Sequence, residues 1–285
     1  MRRLDLEFMS TENISPTAHY TGYVWYRNNL GLQELSTDKG RLYYAIFKPA
    51  DILVRAFMQG LSLEPYLLQR HVIIDHLLRE DIRSGKVTQV IEIASGLSPR
   101  GYRFAGEFPQ VQFIDTDLSE MNELKKEKLK NLPVLPNYRS VTIDVLKDNG
   151  NLSLNELAAS LDQKQGTVVI AEGLISYFDT ETATQIFRRV QEFLSKFSVG
   201  RFICEIHLKE HTQGSVVDIF KKVLGKFVDS KIDIPFDDQK HLFGILEKLK
   251  IKDNFLHDPA NYSKLDKMPV VNRSSFVRIL QSVVN

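Results

Sequence analysis

The chain has 285 residues, 43% hydrophobic and 26% charged, with 37 Lys and Arg against 36 Asp and Glu. That balance excludes a disordered chain, and the length suffices for one large α/β domain or two small ones. The formal net charge of +1 gives no bulk pull towards nucleic acid, so no nucleic-acid partner is expected. The single cysteine, Cys204, permits no intramolecular disulfide and reads as a small buried hydrophobe within Phe202-Ile203-Cys204-Glu205-Ile206. Asp5 and Glu7 follow Met1-Arg2-Arg3 where a signal peptide would be apolar. No run reaches the roughly 18 apolar residues of a membrane span, so the expectation is a cytoplasmic protein with no membrane partner.

The first third reads as helical. Ser15-Pro16 is a helix start, with the helix continuing over 16–29 to a stop near Gly31. A second helix is expected from Lys48 to Phe57 and a third from Leu63 to Arg83, where Leu67, Leu68, Ile74, Leu77 and Leu78 recur at helical spacing before Gly85. The pattern then changes to short runs rich in Val, Ile and Phe: Gln89–Ala94, Val111–Ile114, Tyr138–Ile143, Thr167–Ala171 and Arg201–His207. Strands alternating with helices imply right-handed crossovers and a largely parallel sheet. Helices are also expected over Glu181–Phe197, 213–229 and Asp238–Leu249, and strands over Asp253–His257 and Ser275–Val284. The reading is α/β: a Rossmann-like, mostly parallel sheet closed by an antiparallel terminal hairpin. It forms one domain, with a helical cap over 1–86 and a core over 87–285 that carries an insertion around 208–237.

Candidate site residues gather at the strand ends. The first strand runs into Ser95-Gly96-Leu97-Ser98-Pro99-Arg100-Gly101, a turn of the kind at which open α/β sheets bind ligands. Asp117 ends the second strand, where an acid can hydrogen-bond a ribose diol. With Glu92, Asp144 and Glu172, four successive strands bring acids to one edge. Such a ring repels phosphate and suits a cation bearing an amine, a ribose and an adenine, as in S-adenosylmethionine. Acids also follow strands simply as helix caps. Lys125-Lys126-Glu127-Lys128-Leu129-Lys130 reads as a solvated helix face, and no Cys or His cluster has metal spacing, so no metal is expected.

These motifs resemble the leucine carboxyl methyltransferase family, and more closely its bacterial branch assigned to polyketide O-methylation. Glu92-Ile93-Ala94-Ser95-Gly96-Leu97-Ser98-Pro99-Arg100-Gly101-Tyr102-Arg103 is similar to its E-L-G-A-G-L-D-T-R-A-Y-R. Ala171-Glu172-Gly173-Leu174-Ile175-Ser176-Tyr177-Phe178 resembles A-E-G-L-L-M-Y-L, and Arg70-His71-Val72-Ile73-Ile74-Asp75 resembles R-T-R-x-x-D. The resemblance implies a class I methyltransferase sheet and S-adenosylmethionine as cofactor. It places the cofactor carboxylate on Arg70, its ribose on Asp117 and its adenine on Asp144 and Val145. Two positions depart from the pattern: Ala94 replaces the first glycine of the turn, and Val72 replaces the second arginine of the helix.

The expected activity is O-methylation of a small molecule, with a carboxylate acceptor oriented by Arg100 and Tyr177. An ionised carboxylate needs no general base, whereas a hydroxyl acceptor does. His207 is either that base or a plain strand-end histidine. His19, Tyr23 and Arg27 recur at i, i+4 and i+8 and are candidates for substrate binding. Two other readings remain open: a catalytically silent cofactor-binding or regulatory protein, and a nicotinamide-dependent oxidoreductase, although the turn lacks G-x-G-x-x-G.

Overall fold

The computed structural model describes residues 11–57, 63–212, 233–270 and 275–284. Three helices come first: α1 (Thr11–Arg27), α2 (Asp38–Phe57) and α3 (Leu63–Arg83). The third matches its sequence signal at both ends. The second begins at Asp38 rather than Lys48, because Thr37 caps it: Gly40 N–H donates to Thr37 Oγ1 at 3.0 Å. Pro16 lies inside α1 rather than at its start.

α1 and α2 pack through aromatic rings. Tyr20 stacks on Tyr44 at 6.1 Å and meets Phe47 edge-on at 5.5 Å. Gly40 allows the close approach, since a Cβ there would fall 2.2 Å from His19 O. Tyr20, Val24, Trp25, Tyr44, Leu67, Leu68 and Val72 form the buried interior of this helical layer.

From residue 89 the chain alternates strand and helix. Strands β1 (Gln89–Ile93), β2 (Gln112–Asp117), β3 (Tyr138–Thr142), β4 (Gly166–Ala171) and β5 (Val199–His207) pair in parallel. Between them lie α4 (Arg100–Glu107), α5 (Ser119–Leu129), α6 (Leu154–Ala159) and α7 (Thr180–Leu194). Helix α8 (Gln239–Lys248) leads to β6 (Lys252–His257) and β7 (Val277–Val283). The seven-stranded order is β3-β2-β1-β4-β5-β7-β6, with β7 antiparallel to both neighbours. The Rossmann-like sheet with its antiparallel terminal pair is thus present. The expected helix over 213–229 falls outside the described residues.

The central strands are buried on both faces, as parallel sheets are. Ile91, Ile93, Val169, Ala171, Phe202 and Cys204 face the layer holding α6, α7 and α8. Val90, Phe113, Val168, Ile170 and Ile203 face α3 and α4. By the same two-residue period, Glu92 and Glu205 fall on the α3 side with Val90 and Ile203. Among the described residues, no helix is long and apolar enough to cross a membrane.

Candidate active site

A cavity of about 630 Å³ opens between the carboxyl ends of the parallel strands and the helical layer. This lies within the roughly 300–1,000 Å³ range of small-molecule pockets. β1 leads into it through Ala94, Ser95 and Gly96. The other strands bring Asp117, Asp144, Glu172, Glu205 and His207, and α1 adds Thr17, His19, Tyr20 and Trp25.

The turn after β1 is clamped from the next strand. Asp117 accepts from Gly96 N–H at 2.6 Å through one oxygen and from Leu118 N–H at 2.8 Å through the other. Burial pushes its carboxyl upward against these two donors. Gly96 has φ 51° and Ala94 φ 49°, both in the left-handed region. Glycine tolerates that region at no steric cost, but alanine does not. Ala94→Gly is therefore expected to stabilise the fold by about 1 kcal/mol, read as a higher urea midpoint at an unchanged slope. An unchanged or lower midpoint would show that the loop absorbs the strain elsewhere.

Behind the cavity wall lies a buried ion network. Arg100, fully buried at the start of α4, donates to Asp75 at 2.7 Å, to Glu92 at 2.5 Å and to Glu172 at 2.5 Å. Its Nη2 also lies 2.9 Å from His71 Nδ1. Arg70 bridges Glu172 at 3.0 Å and Glu205 at 2.7 Å. Burial opposes ionisation of Glu172, but His71, Arg100 and Arg70 outweigh it and hold the carboxyl well below the usual range. Burial opposes Glu205 too, yet Arg70 and His207 bring it down to about 2. For Glu92 burial prevails over Arg100 and pushes the carboxyl up to about 7.

These contacts revise several assignments made from sequence. Arg100 does not line the cavity, and its guanidinium is committed to three carboxylates, so it acts behind the wall and not on a substrate. Glu92 is one residue short of the strand end and points to the α3 side, so it also leaves the cavity ring. Its place is taken by Glu205, which sequence reasoning missed. Its signal in the sequence is a lone acid inside the apolar run Phe202-Ile203-Cys204-Glu205-Ile206.

Arg70, Gly96, Asp117, Asp144, Val145, Glu172 and Tyr177 all line the cavity. The Tyr177 hydroxyl donates to Thr17 Oγ1 at 3.0 Å, joining the end of β4 to α1. His19 lines the cavity as well, its Nδ1 lying 2.7 Å from Thr37 Oγ1. Burial, then Lys39 and Lys128, lower its pKa to about 4, so the ring is neutral at pH 7. Tyr23 and Arg27 do not reach the cavity. Each step of four residues turns a helix by about 40°, which carries these two round to Tyr44: Tyr23 lies 5.3 Å from that ring and Arg27 stands 4.9 Å above it.

The lysine run is also not wholly solvated. Lys125 is buried and ion-paired with Asp115 at 2.6 Å, and it donates to Ser95 Oγ at 3.1 Å beneath the turn.

A family profile described as leucine carboxyl methyltransferase matches residues 47–191, just over half of the 285. A Mycolicibacterium vanbaalenii protein named for S-adenosyl-L-methionine-dependent methyl transfer is 34% identical over 106 residues, which is 36% of this chain and 33% of that protein. The chain thus spans about a third of the length of this relative. Among solved structures, a Thermobifida fusca protein described as a methyltransferase superposes with a TM-score of 0.65 at 10% identity, covering 98% of this chain and 96% of that one. A DUF574 family protein from Streptomyces avermitilis gives the same TM-score of 0.65 at 13% identity, covering 94% and 95%. At these identities the two structures speak for the fold alone.

Proposed function

Because the chain belongs to the leucine carboxyl methyltransferase family, we propose that it transfers a methyl group from S-adenosylmethionine to an oxygen of a small molecule. The observation that carries this reading is the charge of the cavity wall. Asp117, Asp144, Glu172 and Glu205 line one cavity, and Arg70, its most deeply set cation, is held between two of them. A dinucleotide would bring its pyrophosphate against these carboxylates. A sulfonium with an ammonium, a ribose and an adenine meets acceptors and negative potential instead.

The residues present fit that cofactor. Asp117 already holds the turn by both oxygens, and its remaining lone pairs are available to a ribose diol. Gly96 keeps the turn free of a side chain there. Asp144 is the acceptor for an adenine amine, with Val145 against the ring. Arg70 takes the cofactor carboxylate, while Glu172 and Glu205 set the negative potential around the ammonium. When bound, the cofactor supplies an activated methyl group on sulfur. The protein's task is then mainly positioning: an acceptor oxygen must stand about 3–3.5 Å from the methyl carbon, opposite sulfur. Tyr177, Thr17 and His19, set where the sheet faces the helical layer, are the groups that orient the acceptor. Arg100 is a positioning residue, fixing Glu172 from behind.

Calorimetry tests the cofactor class. S-adenosylmethionine and S-adenosylhomocysteine are expected to release binding heat, and NAD none. Heat from NAD with silence from both sulfur compounds sinks the reading.

A further inference from the structure

We propose that Ser176, His207 and Glu205 form a proton-accepting relay on the cavity wall, and that the methyl acceptor is accordingly a hydroxyl group, phenolic or alcoholic, and not a carboxylate. The inference rests on the methyl-transfer reading above. It comes from two cavity-lining side chains that the reading leaves without a task, Ser176 and His207, and from their link to Glu205, whose charge that reading already uses. His207 Nδ1 lies 2.7 Å from Ser176 Oγ, and Nε2 lies 3.2 Å from Glu205 Oε1.

The protonation pattern follows from the partners. Nε2 stands within 3.2 Å of the Glu205 carboxylate without the alignment of a formed hydrogen bond, and a negative charge at that distance favours the hydrogen on Nε2 over a lone pair facing it. That leaves Nδ1 with a lone pair, accepting from the Ser176 hydroxyl. Glu205 is well placed to hold this tautomer. Its other oxygen accepts from Arg70 Nη1 at 2.7 Å and from Gly173 N–H at 2.8 Å, which keeps it charged and fixed. Among the described residues, the Phe276 ring stands 5.4 Å from the imidazole, and Glu172 and Tyr177 line the same cavity. A carboxylate acceptor would leave this relay idle. It would also lack the cation expected to orient it, since Arg100 is spent behind the wall.

In the transfer step the acceptor O–H bond breaks and its proton passes to Ser176 Oγ as the serine's own proton moves to His207 Nδ1. The acceptor oxygen bonds to the methyl carbon while the carbon–sulfur bond breaks. The positive charge lost from sulfur reappears on the imidazole, beside Glu205.

The first measurement needs no turnover. In the full chain labelled with ¹⁵N-histidine, long-range proton–nitrogen correlation resolves the tautomers of the seven histidines, and the signal lost in His207→Gln is that of His207. At pH 8 it is expected as the neutral Nε2–H form. A Nδ1–H form, or a doubly protonated ring at that pH, overturns the relay.

The second measurement offers methyl 4-hydroxybenzoate and 4-methoxybenzoate in parallel with S-adenosylmethionine, within a panel of simple phenols, alcohols and matched carboxylates. Methyl ethers are expected and methyl esters are not. The rate should fall on acidification with a slope of one proton. His207→Gln should lose about 100-fold or more and abolish that dependence, and Ser176→Ala about tenfold or more at unchanged S-adenosylhomocysteine affinity. Ester products, a His207→Gln rate equal to the parent's, or no hydroxyl turnover while the cofactor still binds overturn the proposal. Loss of cofactor binding in the parent protein instead defeats the reading beneath it, and the tautomer measurement distinguishes the two.

Discussion

Replacing Arg100 by methionine is expected to destabilise the protein by about 3–5 kcal/mol, the usual cost of stranding buried charges without their partner. The substitution keeps the length and apolar stem of the side chain but removes all three ion pairs at once, to Asp75, Glu92 and Glu172. The side chains of those carboxylates are 3–4% exposed, so little water can replace the lost donors. Arg100→Lys should cost less but still more than a surface change, because one ammonium cannot span three acids lying in different directions. Urea denaturation measures both. A loss below about 1 kcal/mol for Arg100→Met would show that the network relaxes or takes up protons, Glu92 first, since its carboxyl already sits at about 7.

Asp117→Ala is expected to weaken S-adenosylhomocysteine binding tenfold or more. The basis is the loss of charge-assisted hydrogen bonds worth about 1.5–3 kcal/mol. Because Asp117 also clamps the Gly96 turn, part of the loss is local order, and Asp117→Asn separates the two contributions. The amide keeps one acceptor for a backbone N–H but surrenders the charge. Calorimetry on both variants, each with its ligand-free melting temperature, reads the difference. Binding as tight as the parent's in both would remove Asp117 from the ribose site while leaving the cofactor class untouched.

The strands were legible because their signal is local: consecutive Val, Ile and Phe bounded by turns mark a parallel strand buried on both faces. Helix α3 was legible through its apolar spacing. Helix α2 was not, because its start depends on the Thr37 cap and not on hydrophobic pattern. The candidate site divides along the same line. Asp117, Asp144 and Glu172 lie at a strand end or within two residues of one, so position along the chain nearly fixes their place. Glu92 and Glu205 turn on which face of the sheet each side chain takes, a matter of strand parity that shifts with a single residue of register. Lys125 carried a readable hint, lying between Met121 and Leu129 on the buried side of α5. Its partner Asp115 comes from a neighbouring strand, and pairing at that distance leaves no trace in local sequence.

The strand order has a consequence for how the chain is made. β7 comes last of the seven along the sequence, yet it lies between β5 and β6. During vectorial synthesis the earlier βα units can dock as they emerge, because each new strand has its neighbour already present. β6 has none: among the described residues its only ladder is to β7. Until residues 277–283 leave the ribosome, β5 presents an open edge and β6 waits unpaired, so the far side of the sheet closes in one late, non-local step. In that interval the nascent chain is most exposed to edge-to-edge association. The final strand thus acts as a lock on the sheet, and a lesion in it should show first as aggregation during expression.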